Sequence, residues 1–260
     1  MIGAIVGDIV GSRFEWHNIK TKKFELFTHR CSFTDDSVMT IAVADALMRA
    51  DGNIDILPEY AVESMQRIGR PYPNCGYGGF FYNWLYSNNP LPYNSYGNGA
   101  AMRVSACGFA AKSLEEAKAL SEAVTAVTHN HPEGIKGAEA VTAAIYLARS
   151  GYSVQEIKQH INDNYYPMDF SLDEIRDTYE FNVTCQNTVP QALKAFFESD
   201  SFEDAIRNAI SIGGDSDTLA AITGGIAEAY YGVPQDIKEQ ALNYLDENLL
   251  EIVNSFYYKK

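Results

Sequence analysis

Apolar residues recur at intervals of three and four along most of this chain, while alternation at an interval of two, bounded by turn residues, is scarce. That asymmetry narrows the fold more than any other feature, because a 3.6-residue repeat buries one face of a helix and a two-residue repeat one face of a strand. The helical repeat is clearest in "DSVMTIAVADALMRA", "LEEAKALSEAVTAVTH", "PEGIKGAEAVTAAIYLARSG" and "VPQDIKEQALNYLDENLLEIV", and stretches 98–111, 189–198 and 202–212 read the same way. Pro132, Pro190 and Pro234 fall near the starts of periodic stretches, and Gly151 and Gly232 follow ends, which is where helices accept these residues. The expectation is an all-α protein. No Gly/Ser-rich linker or charge block divides the 260 residues, a length that can bury a full core, so 1–260 reads as one domain.

A hydrophobic content of 46% and a charged content of 21% are ordinary for a globular chain. The formal net charge of -14, without any basic stripe, argues against nucleic acid and against anionic membrane surfaces. The apolar start "MIGAIVGDIVGS" lacks a basic leader and a cleavage site and is interrupted by Asp8, and no stretch reaches the roughly 18 uninterrupted apolar residues of a membrane span. Cys31, Cys75, Cys107 and Cys185 are far apart and form no paired motif, so reduced thiols, a cytoplasmic location and a monomer are expected. "PYPNCGYGGFFYNWLYSNNPLPYNSYGNG" (Pro71 to Gly99) differs in character, being rich in Gly, Tyr, Asn and Pro. It reads as loop around one short helix, and is either a recognition loop or a packed connector.

Two acidic clusters share one grammar. "FTDDSVMTIAVADAL" places Thr34, Asp35 and Asp36 at the start of a helix, and "SIGGDSDTLAAITGG" places Asp215, Asp217 and Thr218 at the start of another. Capping and the helix dipole account for one such residue per cluster. They leave a second carboxylate in each facing its neighbour, and like charges so close repel unless a cation lies between them. Neither cluster has Lys or Arg in the flanking turn. Carboxylate and hydroxyl oxygens without thiolates or paired histidines suit Mg²⁺ or Mn²⁺ rather than zinc. With Glu15, the five carboxylates balance about two divalent cations. "DSDTLAAITGG" lacks the alternating ligands of an EF-hand, and neither cluster has the basic residues a diphosphate-binding Asp-rich helix would want. A two-metal hydrolase and elaborate capping are the readings these residues leave.

Five stretches, "GAIVGDIVGSRFE", "FTDDSVMT", "SYGNGAAMRV", "CQNTVPQALKAF" and "AISIGGDSDTLAAITGGIAEAYYG", run in order from residue 3 to residue 232. Together they resemble the ADP-ribosylglycohydrolase family, which includes the dinitrogenase-reductase-activating glycohydrolase and the hydrolases that remove ADP-ribose from arginine or serine. The resemblance implies a compact, orthogonal all-α domain with two Mg²⁺ or Mn²⁺ ions in a cleft. Its metal ligands match Thr34, Asp35, Asp36, Asp215, Asp217 and Thr218, with Glu15 close to the ions.

The reaction so implied is hydrolysis of the bond between the anomeric carbon of ADP-ribose and an acceptor, either a protein side chain or the acetyl group of a small conjugate. A carboxylate takes the proton of the attacking water, and Glu15 and Asp35 are both candidates. Gly78 and Gly79 would let backbone N–H groups approach a diphosphate, while Ser95, Tyr96, Gly97 and Asn98 match the family's pocket wall, although Tyr96 also suits plain packing. His129 matches a histidine beside the ligand in serine-directed members, and His131 reads as the N-cap before Pro132. Asp8 and Arg103 lie inside family motifs and read as internal hydrogen-bonding or ion-pair residues. Trp16, Trp84, Phe80, Phe81 and Tyr82 either stack on adenine or fill the cleft wall. "GYGG" and "SYGNGAAMRV" look closer to serine-directed members, but "FYNWLYSNNPLPYN" is this chain's own. An inactive ADP-ribose-binding module and a hydrolase of another nucleoside-type glycoside are the alternative readings.

Overall fold

The computed structural model describes residues 1–258, and helices carry its regular structure; among those residues the one β contact is an isolated antiparallel bridge between Gly97 and Thr184. In chain order the helices are α1 (Ile2–Gly11), α2 (Asp35–Ala50), α3 (Leu57–Gly69), α4 (Gly79–Leu85), α5 (Gly99–Met102), α6 (Ser105–Ala110), α7 (Leu114–Thr125) and α8 (Pro132–Arg149). They continue with α9 (Val154–Asn164), α10 (Leu172–Ile175), α11 (Cys185–Phe197), α12 (Phe202–Ser211), α13 (Ser216–Tyr231), α14 (Gln235–Leu242) and α15 (Glu247–Tyr258). The all-α expectation holds, and no helix is long and apolar enough to cross a membrane.

The centre of the fold is the pair α1 and α13. Every residue of α1 is buried, and α13 is buried from Ser216 to Ala227. Burying each Ile or Val side chain of α1 contributes about 1.5–3 kcal/mol. What brings the two helices so close is a row of glycines. A Cβ on Gly3 would strike the Gly224 carbonyl, one on Gly7 the Ala220 carbonyl, and one on Gly11 would lie 2.6 Å from the Asp217 Cα. The backbones therefore touch, and Asp8, between Gly7 and Gly11, is held beside the first turn of α13. Helices α2, α8, α11 and α12 pack around this pair.

The chain enters α13 through Gly213 and Gly214, whose φ angles of 69° and 78° suit glycine. Those two residues turn Asp215 onto the helix start and aim it toward the start of α2. Thr34 caps α2, its Oγ1 accepting from the Asp36 N–H at 3.3 Å.

Three periodic stretches differ from a simple reading. The 98–111 stretch is two helices with Arg103 and Val104 between them, and the Met102 carbonyl that a continuous helix would use accepts from Thr40 Oγ1 at 3.3 Å. Helix α11 begins at Cys185, ahead of Pro190, because the Cys185 N–H has an external partner in the Tyr96 carbonyl at 2.9 Å. The last periodic stretch divides at Asp246, whose carboxylate accepts from the Leu249 N–H at 3.0 Å and starts α15.

Gly7→Ala is expected to cost about 3 kcal/mol or more, since the added methyl meets backbone that cannot yield. Gly78→Ala, where nothing lies within 4 Å of the added carbon, should change stability by less than about 0.5 kcal/mol. Urea denaturation of both variants, with similar costs for the two, would contradict the backbone contact.

Candidate active site

Helix starts bring the acidic side chains together. Asp35 and Asp36 come from the first turn of α2, Asp215 and Asp217 from the start of α13, Asp8 from the interior of α1, and Glu15 from just beyond the 3₁₀ turn Ser12–Phe14 that follows it. One carboxylate oxygen from each of Asp8, Asp36 and Asp217 falls within 4.8 Å of the others, and the same holds for Glu15, Asp215 and Asp217. Glu15, Asp35, Asp36, Asp215, Asp217 and Thr218 line a cavity of about 400 Å³.

Capping does not explain the arrangement. Asp215 occupies the N-cap position of α13 but makes no capping hydrogen bond; its Oδ2 accepts from the Asn98 amide at 2.7 Å. Thr218 Oγ1 donates to Asp36 Oδ2 at 3.2 Å, while Asp36 Oδ1 is buried with no partner. Asp8, fully buried, accepts from the Thr34 N–H at 2.9 Å and Oγ1 at 2.6 Å, from the Ser37 N–H at 3.1 Å, and from the Ser37 hydroxyl.

Without a cation this cluster is protonated far more readily than free carboxylates. Burial, then Asp8, Asp215 and Glu15, push Asp35 up to about 8. Burial and Asp215 raise Glu15 to about 7, and burial raises Asp8 to about 6 against the pull of its hydrogen bonds to Ser37 and Thr34. Asp36 and Asp217 are held well above the ordinary range by burial and by their acidic neighbours. Among the described residues the only Lys or Arg lining the cavity, Arg103, is turned to Thr128 and His129 and forms no ion pair with the cluster. Hard oxygen donors, an orphaned carboxylate oxygen and no internal cation together fit divalent ions of the Mg²⁺ or Mn²⁺ kind. Of the candidate ligands, Asp36, Asp215 and Asp217 fall in the two groups of close carboxylates, with Asp8 and Glu15 beside them; Asp35 and Thr218 line the cavity outside the groups, and Thr34 is not in the lining.

Much of the remaining lining is glycine and aromatic. Gly78 and Gly79 line the cavity, and the places where their Cβ atoms would sit are open space. Ser95, Gly97, Asn98, Gly99 and His129 line it too, with Ser95 Oγ accepting from the Gly97 N–H at 3.1 Å. The Asn98 amide faces away from solvent toward Asp215 and Thr188, so what Asn98 does directly is hold a carboxylate. Tyr96 lies outside the lining; its ring pairs with His131 at 5.0 Å, and His131 caps α8. Trp16 stacks on Phe181 at 5.0 Å, and Phe80 on Tyr93 at 6.0 Å, both pairs at the cavity wall, whereas Trp84 is buried beneath Phe81.

Sequence reasoning passed over Phe181, Val183 and Gly76. Phe181 and Val183 reach the cavity because the 182–185 segment is tied to the 96–98 loop: Asn98 N–H donates to the Val183 carbonyl at 2.8 Å, and Cys185 Sγ to the Gly97 carbonyl at 3.2 Å. Nothing in local sequence signals that pairing. Gly76 was legible, because its φ of 116° and its closeness to Asp35 are what the glycine in "CGYGG" permits.

Comparison with known proteins gives a consistent result. The ADP-ribosylglycohydrolase family model matches residues 1–259. The chain is 24% identical to the ADP-ribosylhydrolase ARH3 of Mus musculus, over 90% of this chain and 83% of that protein. It is 26% identical to the ADP-ribosyl-[dinitrogen reductase] glycohydrolase of Rhodospirillum rubrum, over 94% of this chain and 88% of that protein. Among solved structures, an ADP-ribosylglycohydrolase-related protein complex superposes with a TM-score of 0.68 at 22% identity, covering 99% of this chain and 96% of the other, which supports the fold.

Carboxylates that keep protons in the folded protein, at pH values where the unfolded chain has released them, make stability fall as pH rises. In EDTA, the Tm is therefore expected to fall between about pH 4 and pH 8, the window set by Asp8, Glu15 and Asp35 rising from ordinary carboxylate values to about 6, 7 and 8. Added Mg²⁺ or Mn²⁺ should raise the Tm most at the upper end. An EDTA curve that climbs across this window would contradict the buried cluster.

Proposed function

The chain belongs to the ADP-ribosylglycohydrolase family and is an enzyme of that type, and from this premise we propose that it is a divalent-cation-dependent hydrolase that frees ADP-ribose from an acceptor, either an ADP-ribosylated protein side chain or a small ADP-ribose conjugate. The observation that carries the reading is the gathering of acidic side chains from separate helix starts in the lining of a nucleotide-sized cavity, with a buried carboxylate oxygen on Asp36 left without a partner.

Thr34, Asp35, Asp36, Asp215, Asp217 and Thr218 are the residues proposed to hold two Mg²⁺ or Mn²⁺ ions, which would supply Lewis-acid polarisation and a water more acidic than bulk. The remaining work belongs to the chain's own residues. Glu15 is half-buried at the cavity wall beside Asp215 and Asp217, where it is placed to accept a proton from an attacking water. Asp35 is the second candidate for that role. Gly78 and Gly79 expose backbone to the cavity and suit the diphosphate, which accounts for recognition without a lysine in the wall. Ser95, Gly97 and His129 form an adjoining part of the lining, and Tyr96 packs outside it against His131. Asn98 fixes Asp215 at 2.7 Å, so displacement of the 95–99 loop moves a carboxylate of the cluster.

The linkage at the acceptor is open between serine, arginine and O-acetyl. The relatives are an ADP-ribosylhydrolase and a hydrolase of ADP-ribosyl-dinitrogen reductase. The wall segment "SYGNGAAMRV" favours the serine linkage, as its resemblance to serine-directed members suggests.

The test is release of free ADP-ribose from arginine-linked, serine-linked and O-acetyl substrates in Mg²⁺, Mn²⁺ or EDTA. Release in either metal and its loss in EDTA is the expected result. Asp217→Ala is expected to lower turnover by more than the ~10–100-fold typical of losing a residue that only orients a ligand. ADP-ribose binding without release from any substrate would replace the hydrolase with a binding module.

A further inference from the structure

Arg103 is the largest fully buried side chain of the protein, and no carboxylate lies within ion-pair distance of it among the described residues. A buried guanidinium without a counter-charge is costly unless it does something specific. One of its terminal nitrogens donates to Thr128 Oγ1 at 2.6 Å and to the Val124 carbonyl at 3.5 Å, and stands 3.4 Å from His129 Nδ1. Thr128 Oγ1 is itself 2.7 Å from that same Nδ1 and 3.4 Å from the Thr125 carbonyl.

The hydrogen-bonding capacities and the adjacent charge favour one tautomer. Arginine has donors and no acceptor, so its nitrogen can approach His129 Nδ1 favourably only if Nδ1 presents a lone pair. Thr128 Oγ1 already accepts from Arg103, and its own proton has a close acceptor in Nδ1 and a distant one in the Thr125 carbonyl. The Thr128 hydroxyl proton therefore has Nδ1 as its nearer acceptor, and the guanidinium charge 3.4 Å away disfavours a proton on that nitrogen, an arrangement that favours the ring proton on Nε2. That nitrogen faces the cleft wall, since Cβ atoms built on Gly97 and Gly99 would lie 3.5 and 3.3 Å from it. The glycines at those positions leave it reachable.

We propose that Arg103 is a positioning residue which, with Thr128, holds His129 as the neutral tautomer protonated on Nε2, so that the imidazole offers the cleft a fixed hydrogen-bond donor for an oxygen of bound ADP-ribose. The ligand in this statement rests on the function proposed above; the tautomer does not. Other groups around the ring leave it neutral. Tyr93, with its ring 5.8 Å away, is pushed up to about 12 by burial, as are the Cys107 and Cys185 thiols near Arg103, and none of the three offers an anion; the nearest carboxylate acting on Arg103 is Asp35, which lies beyond ion-pair distance. Burial and the Arg103 charge both lower the basicity of His129. Histidine ordinarily changes charge between about pH 5 and pH 8; a donor held in this way does not.

The experiment is long-range ¹H–¹⁵N NMR of the full chain labelled at histidine, recorded from about pH 5.5 to pH 8 with and without ADP-ribose. The expected spectrum has an unprotonated Nδ1 and a protonated Nε2 throughout, with the Nε2–H resonance moving on ADP-ribose addition. A protonated Nδ1, or an imidazolium forming within this range, overturns the proposal in the wild-type protein alone. ADP-ribose that binds without moving Nε2–H overturns the donor role. ADP-ribose that does not bind, with the tautomer as stated, overturns the proposed function and supports the positioning of the ring.

Arg103→Met should leave His129 more readily protonated at a given pH, and Arg103→Lys should restore the neutral ring. Thr128→Val, which removes the second donor at similar volume, is expected to let the proton distribute over both nitrogens and serves where Arg103→Met does not fold. An unchanged His129 in each folded variant overturns the assignment.

Discussion

Buried like charges are the constraint on which this structure turns. Carboxylates from α1, α2 and α13 meet in one volume, and each taken alone would rather be in water. The protein holds them by neutral means. Asp8 accepts hydrogen bonds from Thr34 and Ser37, Asp215 is gripped by Asn98, and Asp36 by Thr218. None of these partners cancels charge, so the cluster keeps its demand for cations while its geometry stays fixed. Rigidity without neutralisation is what a site for hard divalent ions needs.

The walls of the cleft follow the same economy of charge. Beyond the carboxylates the lining offers open backbone at Gly78 and Gly79, aromatic faces at Trp16, Phe80 and Phe181, and the imidazole of His129. A lysine here would be drawn to the carboxylates and would neutralise them. The one arginine present is kept apart by being buried against Thr128 and His129, where its charge acts on a ring nitrogen.

Much of this was legible in the sequence, for physical reasons. Long helices advertise themselves by periodicity, and doubled carboxylates beside a cap are conspicuous because capping needs only one. The family motifs placed the candidate ligands and the glycine wall. The unread parts depend on contacts between distant segments. Phe181 and Val183 enter the cleft through pairing of the 96–98 loop with 182–185, which leaves no local pattern. The orientation of Asn98 toward Asp215 and of Tyr96 toward His131 is decided by neighbours far along the chain. Asp8 reads as an interruption in an apolar helix, and only the proximity of α13 shows which carboxylates it faces.

The glycine row between α1 and α13 has a mechanical consequence. Two helices whose backbones interlock at four-residue intervals behave like meshed teeth: a small slide drives a carbonyl into a Cα, and the next seating is four residues, about 6 Å, away. Axial drift of α1 along α13 is thereby closed off. The gap between Asp8 and Asp217 is gauged by backbone against backbone, before any ion arrives to be measured by it.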